Sequence, residues 1–423
     1  MPAAFPWSDY DLHPFDRTTL SQQRLDIAGS RRVSSLPWRG QFSPELVAFL
    51  ISEFLPMGAV LDPFCGSGTT LIEAARLGRS GLGSEINPAA FLLSRIYELV
   101  AIERNQLRDH ISHVQQEVRA LEAAEASFDS VAYWARNADS FAEQHIRSAT
   151  FLLAAGNDGL LKPGRLRKAV DHVSELVASM PESDVSVSVS LGDARSIEAA
   201  DHSFSGLLTS PPYINVFNYH QNYRKAVEAL GWGVLSAAKA EFGSNRKHRQ
   251  NRFLTVIQYA QDIAEAVRES ARVLQPGAPA VWVVGRESRV RGVSMPNPLI
   301  VFEAATRGSG LELVSKHERS FTSRYGQRVY EDILVFRHPS DVSVAQDRSL
   351  PALGREIGIN VLSSSLDEAG EARAEVEAAI EGAARVMPSA APEFSHPSPA
   401  FAQLAEPAPV SSFVRERSGS CRA

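Results

Sequence analysis

Two short segments of the sequence carry residue types that suit ligand chemistry. The first, residues 61–70, contains Gly66 and Gly68 between an apolar run and a helical pattern. Because glycine lacks a Cβ, a turn at these positions lets a ligand approach the backbone closely. The free N–H groups at the start of the following helix suit a carboxylate or a phosphate. No Gly-Lys-Ser/Thr sequence follows, so this is not a P-loop, and a tight turn without a ligand is the alternative.

The second segment is Ser210-Pro211-Pro212-Tyr213, which follows another apolar strand end. The two prolines stiffen the backbone and remove two N–H donors, so carbonyl groups are left to accept hydrogen bonds. The loop therefore presents a hydroxyl, a carbonyl and an aromatic face together. These groups suit a flat base held by its exocyclic amine. Taken alone, the Pro-Pro-Tyr part of the segment is better explained as a plain proline-rich turn.

Residues 62–70 and 209–213 together resemble the S-adenosylmethionine-dependent amino-methylating DNA methyltransferases. The serine at position 210 is similar to the cytosine-N4 branch, since the adenine-N6 branch usually carries Asp or Asn there. The resemblance covers roughly residues 36–100 and 186–338. It implies S-adenosyl-L-methionine as cofactor, double-stranded DNA as substrate and methyl transfer to the N4 amine of a flipped cytosine.

The resemblance also assigns roles to individual residues. It places Phe42 in the segment that closes over the methionine end of the cofactor, and makes Asp193 an acceptor for the adenine amine. Glu85 ends the second predicted strand about 20 residues after the glycines, where a ribose-hydroxyl acceptor is expected. The predicted catalytic residues are Ser210, Pro211, Pro212 and Tyr213. The predicted cofactor site consists of Phe42, Asp62, Pro63, Phe64, Gly66, Ser67, Gly68, Thr69, Glu85, Asn87, Asp193 and Ala194.

Parallel strands that carry these segments at their carboxyl ends predict an α/β fold. Alternation of Val and Ser over 185–191 predicts the third strand, and buried runs at 204–209 and 280–284 predict the fourth and fifth. Residues 311–315 and 329–337 read as a terminal antiparallel hairpin. The expected fold is a Rossmann-like class I methyltransferase with a mostly parallel seven-stranded sheet and a helical insert.

The predicted catalytic domain consists of residues 36–101 and 183–338. The insert between them, 102–182, shows helical periodicity and is either a target-recognition element or a helical cap. Residues 1–35 form an N-terminal arm that is either solvated or in contact with phosphates. Residues 339–423 are poor in apolar side chains and predict a largely disordered tail with one helix.

The formal net charge of the 423-residue chain is −6, so DNA must meet a local basic patch. Residues 243–252 are the concentrated basic run, for which a solvated loop is the alternative. Two cysteines build neither a disulfide framework nor a zinc site, so a reducing cytoplasm is expected. Neither a signal peptide nor a membrane span is expected. The predicted DNA-binding residues are Arg224, Arg246, Lys247, Arg249 and Arg252.

Three other functions stay open at this point. The same residues would serve adenine-N6 methylation of DNA. An RNA guanine-N2 methyltransferase would use a related Pro-Pro-Tyr loop, and a non-catalytic nucleic-acid-binding protein could retain the scaffold. The intact glycine and Ser-Pro-Pro-Tyr segments argue against the last. For a DNA methyltransferase, a cognate restriction endonuclease that acts on the same site is the expected partner.

Overall fold

The computed structural model describes residues 6–27, 36–38, 40–215, 219–244, 248–323, 326–339 and 349–394. A seven-stranded sheet has the order β3-β2-β1-β4-β5-β9-β8. Strands β1 to β5 pair in parallel, and β9 runs antiparallel to both neighbours. The strands are β1 (Val60–Asp62), β2 (Gly81–Glu85), β3 (Val187–Leu191), β4 (Gly206–Thr209), β5 (Pro279–Gly285), β8 (Glu312–Thr322) and β9 (Arg328–Arg337). This topology confirms the predicted α/β, Rossmann-like methyltransferase fold with its terminal antiparallel hairpin.

Helices cover both faces of the sheet. A separate two-stranded hairpin, β6 (Ser288–Val290) with β7 (Val293–Met295), was not predicted. The helices are α1 (Gln22–Asp26), α2 (Pro44–Phe54), α3 (Thr69–Arg76), α4 (Pro88–Ser94), α5 (Arg104–Ala123), α6 (Phe128–Arg136), α7 (Phe141–Ala155), α8 (Arg165–Ala178), α9 (Arg224–Ala229), α10 (Val234–Ala240), α11 (Leu254–Val273), α12 (Asn297–Glu303), α13 (Leu350–Ser364) and α14 (Arg373–Gly382).

The sheet lies between two apolar clusters. On one face, Leu46 and Leu50 of α2 pack with Leu208 of β4. On the other, Ile257 and Ile263 of α11 belong to a cluster that also contains residues of β1, β4 and β5. Strands buried on both faces explain the continuous apolar runs in the sequence. Rigid burial of this kind fixes the carboxyl ends of the strands, where the predicted site residues lie.

The insert 102–182 contributes α5 to α8, of which α6 was not predicted. Its apolar side chains share one cluster with α4, with Val187 and Val189 of β3 and with Tyr223 before α9. A buried network links the two parts further, because Glu98 accepts hydrogen bonds from the Val189 N–H (2.8 Å) and pairs with His145 of α7 (2.7 Å). The insert is therefore packed onto the catalytic sheet.

The N-terminal segment differs from the solvated arm that was one expectation. In residues 6–27, Tyr10 and Leu25 are buried. The Tyr10 hydroxyl donates to Oδ2 of Asp332 at 2.6 Å, and Lys316 Nζ donates to the Tyr10 carbonyl at 2.9 Å. Arg24 pairs with Glu53 of α2. The segment thus covers the β8–β9 edge of the sheet, and the phosphate-contacting alternative lies partly outside the described residues, at 28–35.

The C-terminal segment also corrects the prediction, since 349–394 holds two helices packed on the core. Helix α13 lies directly against α11. A Cβ built on Gly354 would be 2.4 Å from the Cα of Gln261, and one on Gly358 would be 2.7 Å from the Cα of Ile257. Two small residues four apart allow this close contact between helices. Composition could not reveal it, because the partner helix lies almost 100 residues earlier. Residues 340–348 and 395–423 lie outside the described part of the tail.

Across the described ranges, no helix is long and apolar enough to cross a membrane. The same residues contain no group of three or more His, Cys, Asp or Glu side chains that could hold a metal ion.

Candidate functional site

The glycine loop joins β1 to α3. Gly66 and Gly68 have φ of 52° and 84°, a left-handed conformation that favours glycine. A Cβ on Gly68 would lie 2.8 Å from the Tyr97 ring, so packing as well as conformation requires glycine there. At Gly66 a Cβ would be 3.5 Å from the Trp38 ring. The Trp38 ring therefore lies within van der Waals range of the Gly66 turn.

Glu85 lies at the end of β2, facing the glycine loop. Its Oε2 accepts the Gly66 N–H at 2.8 Å, and its Oε1 accepts the Asn87 N–H at 2.7 Å. Burial raises the pKa of Glu85 to about 7, although both hydrogen bonds oppose this shift. A carboxylate has about four acceptor positions, so each oxygen retains capacity for a ligand hydroxyl. The structure thus brings Glu85 and Gly66 together, as the spacing predicted.

Asp62 connects the two predicted segments. It ends β1 and is 2% exposed. Its Oδ1 accepts the hydroxyl of Thr209 at 2.6 Å and the N–H of Phe64 at 3.1 Å. Burial raises the pKa of Asp62 to about 6. Since Thr209 directly precedes Ser210, this bond fixes the Ser-Pro-Pro-Tyr loop beside the glycine loop.

The Ser-Pro-Pro-Tyr loop holds a chain of hydroxyl groups. Oγ of Ser210 and Oη of Tyr213 lie 3.3 Å apart, and Oη of Tyr213 donates to Oε1 of Glu331 at 3.2 Å. A Cβ on Gly285 would be 2.6 Å from Cε2 of Tyr213, so the ring lies directly on β5. Arg319 of β8 is 3.5 Å from the other oxygen of Glu331. Tyr213 is therefore positioned by the sheet and by β9, with its hydroxyl beside Ser210.

Asp193, predicted as the acceptor for the adenine amine, pairs with Arg195 in the structure. Its carboxylate accepts hydrogen bonds from the backbone N–H and the guanidinium of Arg195, with Nη2 to Oδ2 at 2.6 Å. Arg195 also binds Oδ1 of Asp262 at 3.0 Å and the carbonyl of Ser389 at 2.6 Å. Both oxygens of Asp193 are thus occupied by Arg195. In this arrangement, the carboxylate does not present an open acceptor to an adenine amine.

The remaining predicted cofactor residues fall into two groups. Asn87 caps α4, and its Nδ2 is buried without a hydrogen-bond partner among the described residues. Ser67 accepts a hydrogen bond from Gln41 at 2.7 Å. The other group lies in the core: Phe42 packs beside α2, Phe64 contacts Phe242 and Trp282, Ala194 and Thr69 are buried, and Pro63 lies in the turn after β1.

Several residues at the site were not predicted. The Trp38 ring lies near Gly66 and is nearly parallel to the rings of Tyr219 and Tyr223, at centroid distances of 6.2 and 6.5 Å. Asn297 is fully buried, donates to the Gly285 carbonyl and accepts the Ile214 N–H. Trp38 could have been predicted as a site residue, because it lies just before the predicted cofactor segment. Asn297 could not, because it lies 83 residues after Ile214, the residue whose N–H it accepts.

The predicted DNA-binding residues are divided by the structure. Arg249 and Arg252 are exposed and form no ion pair within the described part of the chain. Arg224 begins α9 and pairs with Glu228 at 2.8 Å, so part of its charge is compensated. Arg246 and Lys247 lie outside the described residues.

A family model described as DNA methylase, of the N6/N4 methyltransferase type, matches residues 22–95. Two curated relatives carry the name type II methyltransferase. M.MjaII of Methanocaldococcus jannaschii is 34% identical over 89 residues, which are 21% of this chain and 16% of that protein. M.MthZI of Methanothermobacter thermautotrophicus is 33% identical over 108 residues, 24% of this chain and 29% of that protein. This chain therefore spans less than a third of either relative.

A solved structure described as a SAM-dependent methyltransferase, from Methanosarcina mazei, aligns with 69% of this chain and 98% of its own, at 14% identity and a TM-score of 0.33. The matched family segment contains Asp62, Gly66, Gly68 and Glu85, the residues that form the loop geometry described above. Over residues 22–95, this chain is similar to the DNA methylases of the N6/N4 type.

Proposed function

We propose that the protein is a DNA methyltransferase that transfers a methyl group from S-adenosyl-L-methionine to the exocyclic amine of a base flipped out of duplex DNA. One observation carries the proposal. The hydrogen bond between Thr209 and Asp62, at 2.6 Å, joins the Ser-Pro-Pro-Tyr loop to the glycine loop. A cofactor on the one and a base on the other would lie side by side. The family match over residues 22–95 supports this assignment.

The residues at the glycine loop fit the proposed cofactor in most respects. Gly66 and Gly68 give the turn its left-handed backbone, and Glu85 is suited to accept ribose hydroxyls. Asn87 has a buried donor without a described partner. Asp193 does not fit the adenine contact while Arg195 occupies it. In this proposal Asp193 therefore holds Arg195, and the adenine amine is recognised elsewhere.

Bound S-adenosylmethionine supplies an electrophilic methyl group on a sulfonium. The amine of cytosine or adenine is a weak nucleophile, because its lone pair is delocalised into the ring. In this proposal Ser210 Oγ and the Pro211 carbonyl accept its N–H groups. Those bonds favour a tetrahedral nitrogen with a localised lone pair, and Pro212 keeps the loop rigid. The main catalytic contribution is orientation of the two reactants. Cys65 lies buried in the cofactor turn, where burial raises the pKa of its thiol, so no covalent role is assigned to it.

Cytosine N4 is the proposed target, and adenine N6 is the alternative. Ser210 at the first position of the motif supports cytosine, through the resemblance to that branch of the family. Exposed Arg249 and Arg252 support contact with DNA phosphates, since neither charge is neutralised by a described neighbour. We further propose cytoplasmic action within a restriction-modification system, with an endonuclease specific for the same sequence as its partner.

Substitution of Ser210 tests the assignment. The Ser210→Ala variant should lose most methyl transfer from radiolabelled cofactor to DNA, while calorimetric binding of the cofactor is retained. Ser203→Ala is the matched control, because Ser203 is a half-buried serine of the same chain whose hydroxyl donates to the Ala200 carbonyl, within its own turn. Unchanged turnover in Ser210→Ala would refute the role of the motif. Loss of cofactor binding as well would move Ser210 from the base site to the cofactor site.

A further inference from the structure

The hydroxyl chain that ends at Glu331 has a defined direction. A phenol carries a single proton, and Tyr213 donates it to Oε1 of Glu331 at 3.2 Å. Toward Ser210, 3.3 Å away, the Tyr213 oxygen can then only accept. The Ser210 hydroxyl must donate to Tyr213, which leaves its lone pairs as the groups that face a ligand.

We propose that Glu331, acting through Tyr213, makes Ser210 an obligate hydrogen-bond acceptor for the base amine and takes up the proton that methylation releases. This proposal rests on the proposed function, and it gives Ser210 a role in selecting which base is methylated. An acceptor at position 210 favours the N–H groups of cytosine and adenine, and it repels the carbonyl oxygens that thymine and guanine carry at the corresponding positions. Glu331 is a positioning residue here, because it reaches the base only through two hydroxyl groups.

The proton balance is complete along the same path. The amine nitrogen forms its bond to the methyl carbon, the carbon–sulfur bond breaks, and its electron pair remains on sulfur as a thioether. The methylated nitrogen then holds one proton in excess. That proton passes to Ser210 Oγ as the serine proton passes to Tyr213 and the tyrosine proton to Glu331. The products are a neutral methylated amine and a protonated Glu331, which releases the proton to water.

The surroundings of Glu331 suit an acceptor of this kind. Its side chain is 13% exposed, and burial raises its pKa. Three neighbours act on it: Arg319 of β8 lowers the pKa, the Tyr213 hydroxyl lowers it, and the adjacent Asp332 raises it. Asp332 is itself compensated by Arg286, at 2.6 Å. A carboxylate that is only partly neutralised by Arg319, at 3.5 Å, remains available for a proton.

The Glu331→Gln variant tests the proposal. Arg319 would hold the amide oxygen, so the amide nitrogen would donate to Tyr213 and reverse the chain. With cofactor and DNA saturating, kcat should fall about a hundredfold or more, as for loss of a proton acceptor, and its decline toward acid pH should disappear. The control is Glu318→Gln, another β8–β9 carboxylate paired with an arginine, at 2.9 Å, which should keep the wild-type pH profile. Tyr213→Phe should also lower kcat. The double variant, Tyr213→Phe with Glu331→Gln, should have a kcat no lower than that of the less active single variant.

A second measurement needs neither cofactor nor DNA. A carboxyl whose pKa is raised on folding contributes stability at low pH that is lost as pH rises through the folded pKa. Wild type should therefore lose stability relative to Glu331→Gln as pH rises from about 4 toward neutrality. An unchanged kcat profile in Glu331→Gln overturns the proposal. If wild type itself methylates no DNA, the proposed function fails, and the stability comparison alone still decides whether Glu331 titrates.

Discussion

Replacement of Thr209 by valine removes the hydroxyl that joins the two loops of the site. Thr209 is fully buried, and valine has nearly the same shape, so no cavity is created. Asp62 loses the donor at 2.6 Å and keeps the Phe64 N–H at 3.1 Å. Loss of one buried hydrogen bond to a charged group costs about 1.5–3 kcal/mol. We expect the free energy of unfolding to fall by that amount at about pH 8, where Asp62 is ionised.

The pH dependence of this loss follows from the Asp62 carboxyl. Burial raises its pKa to about 6, and the Thr209 bond opposes the shift. Below that pH the carboxyl is neutral, so the lost bond is an uncharged one and costs only about 1 kcal/mol. Urea unfolding followed by circular dichroism at about pH 8 and pH 5 would show both values. Methyl transfer should fall as well, because Ser210 follows Thr209 in the chain.

Thr150→Val is the matched control for this measurement. Thr150 of α7 is also fully buried, but its Oγ1 has no hydrogen-bond partner among the described residues. Replacement of an unpaired buried hydroxyl by a methyl group should change stability by less than about 0.5 kcal/mol, or increase it. Equal losses in the two variants would show that the Thr209–Asp62 bond does not hold the site together.

Three further predictions follow from the described contacts. Burial raises the pKa of Glu85 to about 7, so the affinity for the cofactor, measured by calorimetry, should weaken about tenfold from pH 8 to pH 6. Glu85→Gln should remove this pH dependence. The same pH dependence of affinity in wild type and variant would contradict the ribose assignment. Reversing the charge of exposed Arg249 and Arg252 should weaken DNA binding and reduce the salt slope by about 0.9 per lost phosphate contact, whereas Arg373→Glu, on α14, should leave both unchanged. Gly354→Ala should destabilise the protein by about 1–3 kcal/mol through a backbone clash with α11, whereas Gly382→Ala, where a Cβ would be 3.6 Å from its nearest neighbour, should not.

The sheet and the glycine loop could be predicted from the sequence because both are local. Apolar runs mark strands buried on both faces, and Gly66 and Gly68 require left-handed backbone whatever surrounds them. The position of Glu85 at the end of β2 could also be predicted, because one βαβ unit sets the number of residues between the ends of its two strands. The residues that complete the site depend on contacts between distant segments. Glu331 lies 118 residues after Tyr213, and no spacing rule connects them.

Asp193 shows a second reason why the sequence did not predict the whole site. Its position at the end of β3 was predicted, but its partners were not. Arg195 is two residues away, and it is held by Asp262 and by the Ser389 carbonyl, 67 and 194 residues distant. The tail that supplies Ser389 was expected to be largely disordered from its composition. Two glycines let α13 pack closely on α11, a property of the pair that neither segment shows alone.

The most direct test of the proposed function is to identify the methylated nucleoside. Purified protein is incubated with labelled S-adenosylmethionine and unmethylated bacterial DNA, and the digested nucleosides are separated by mass spectrometry, with Ser210→Ala as the control. N4-methylcytosine from wild type alone is the predicted result. N6-methyladenine would keep the DNA methyltransferase assignment and change the base. Methyl transfer to RNA without any product on DNA would contradict the proposed function.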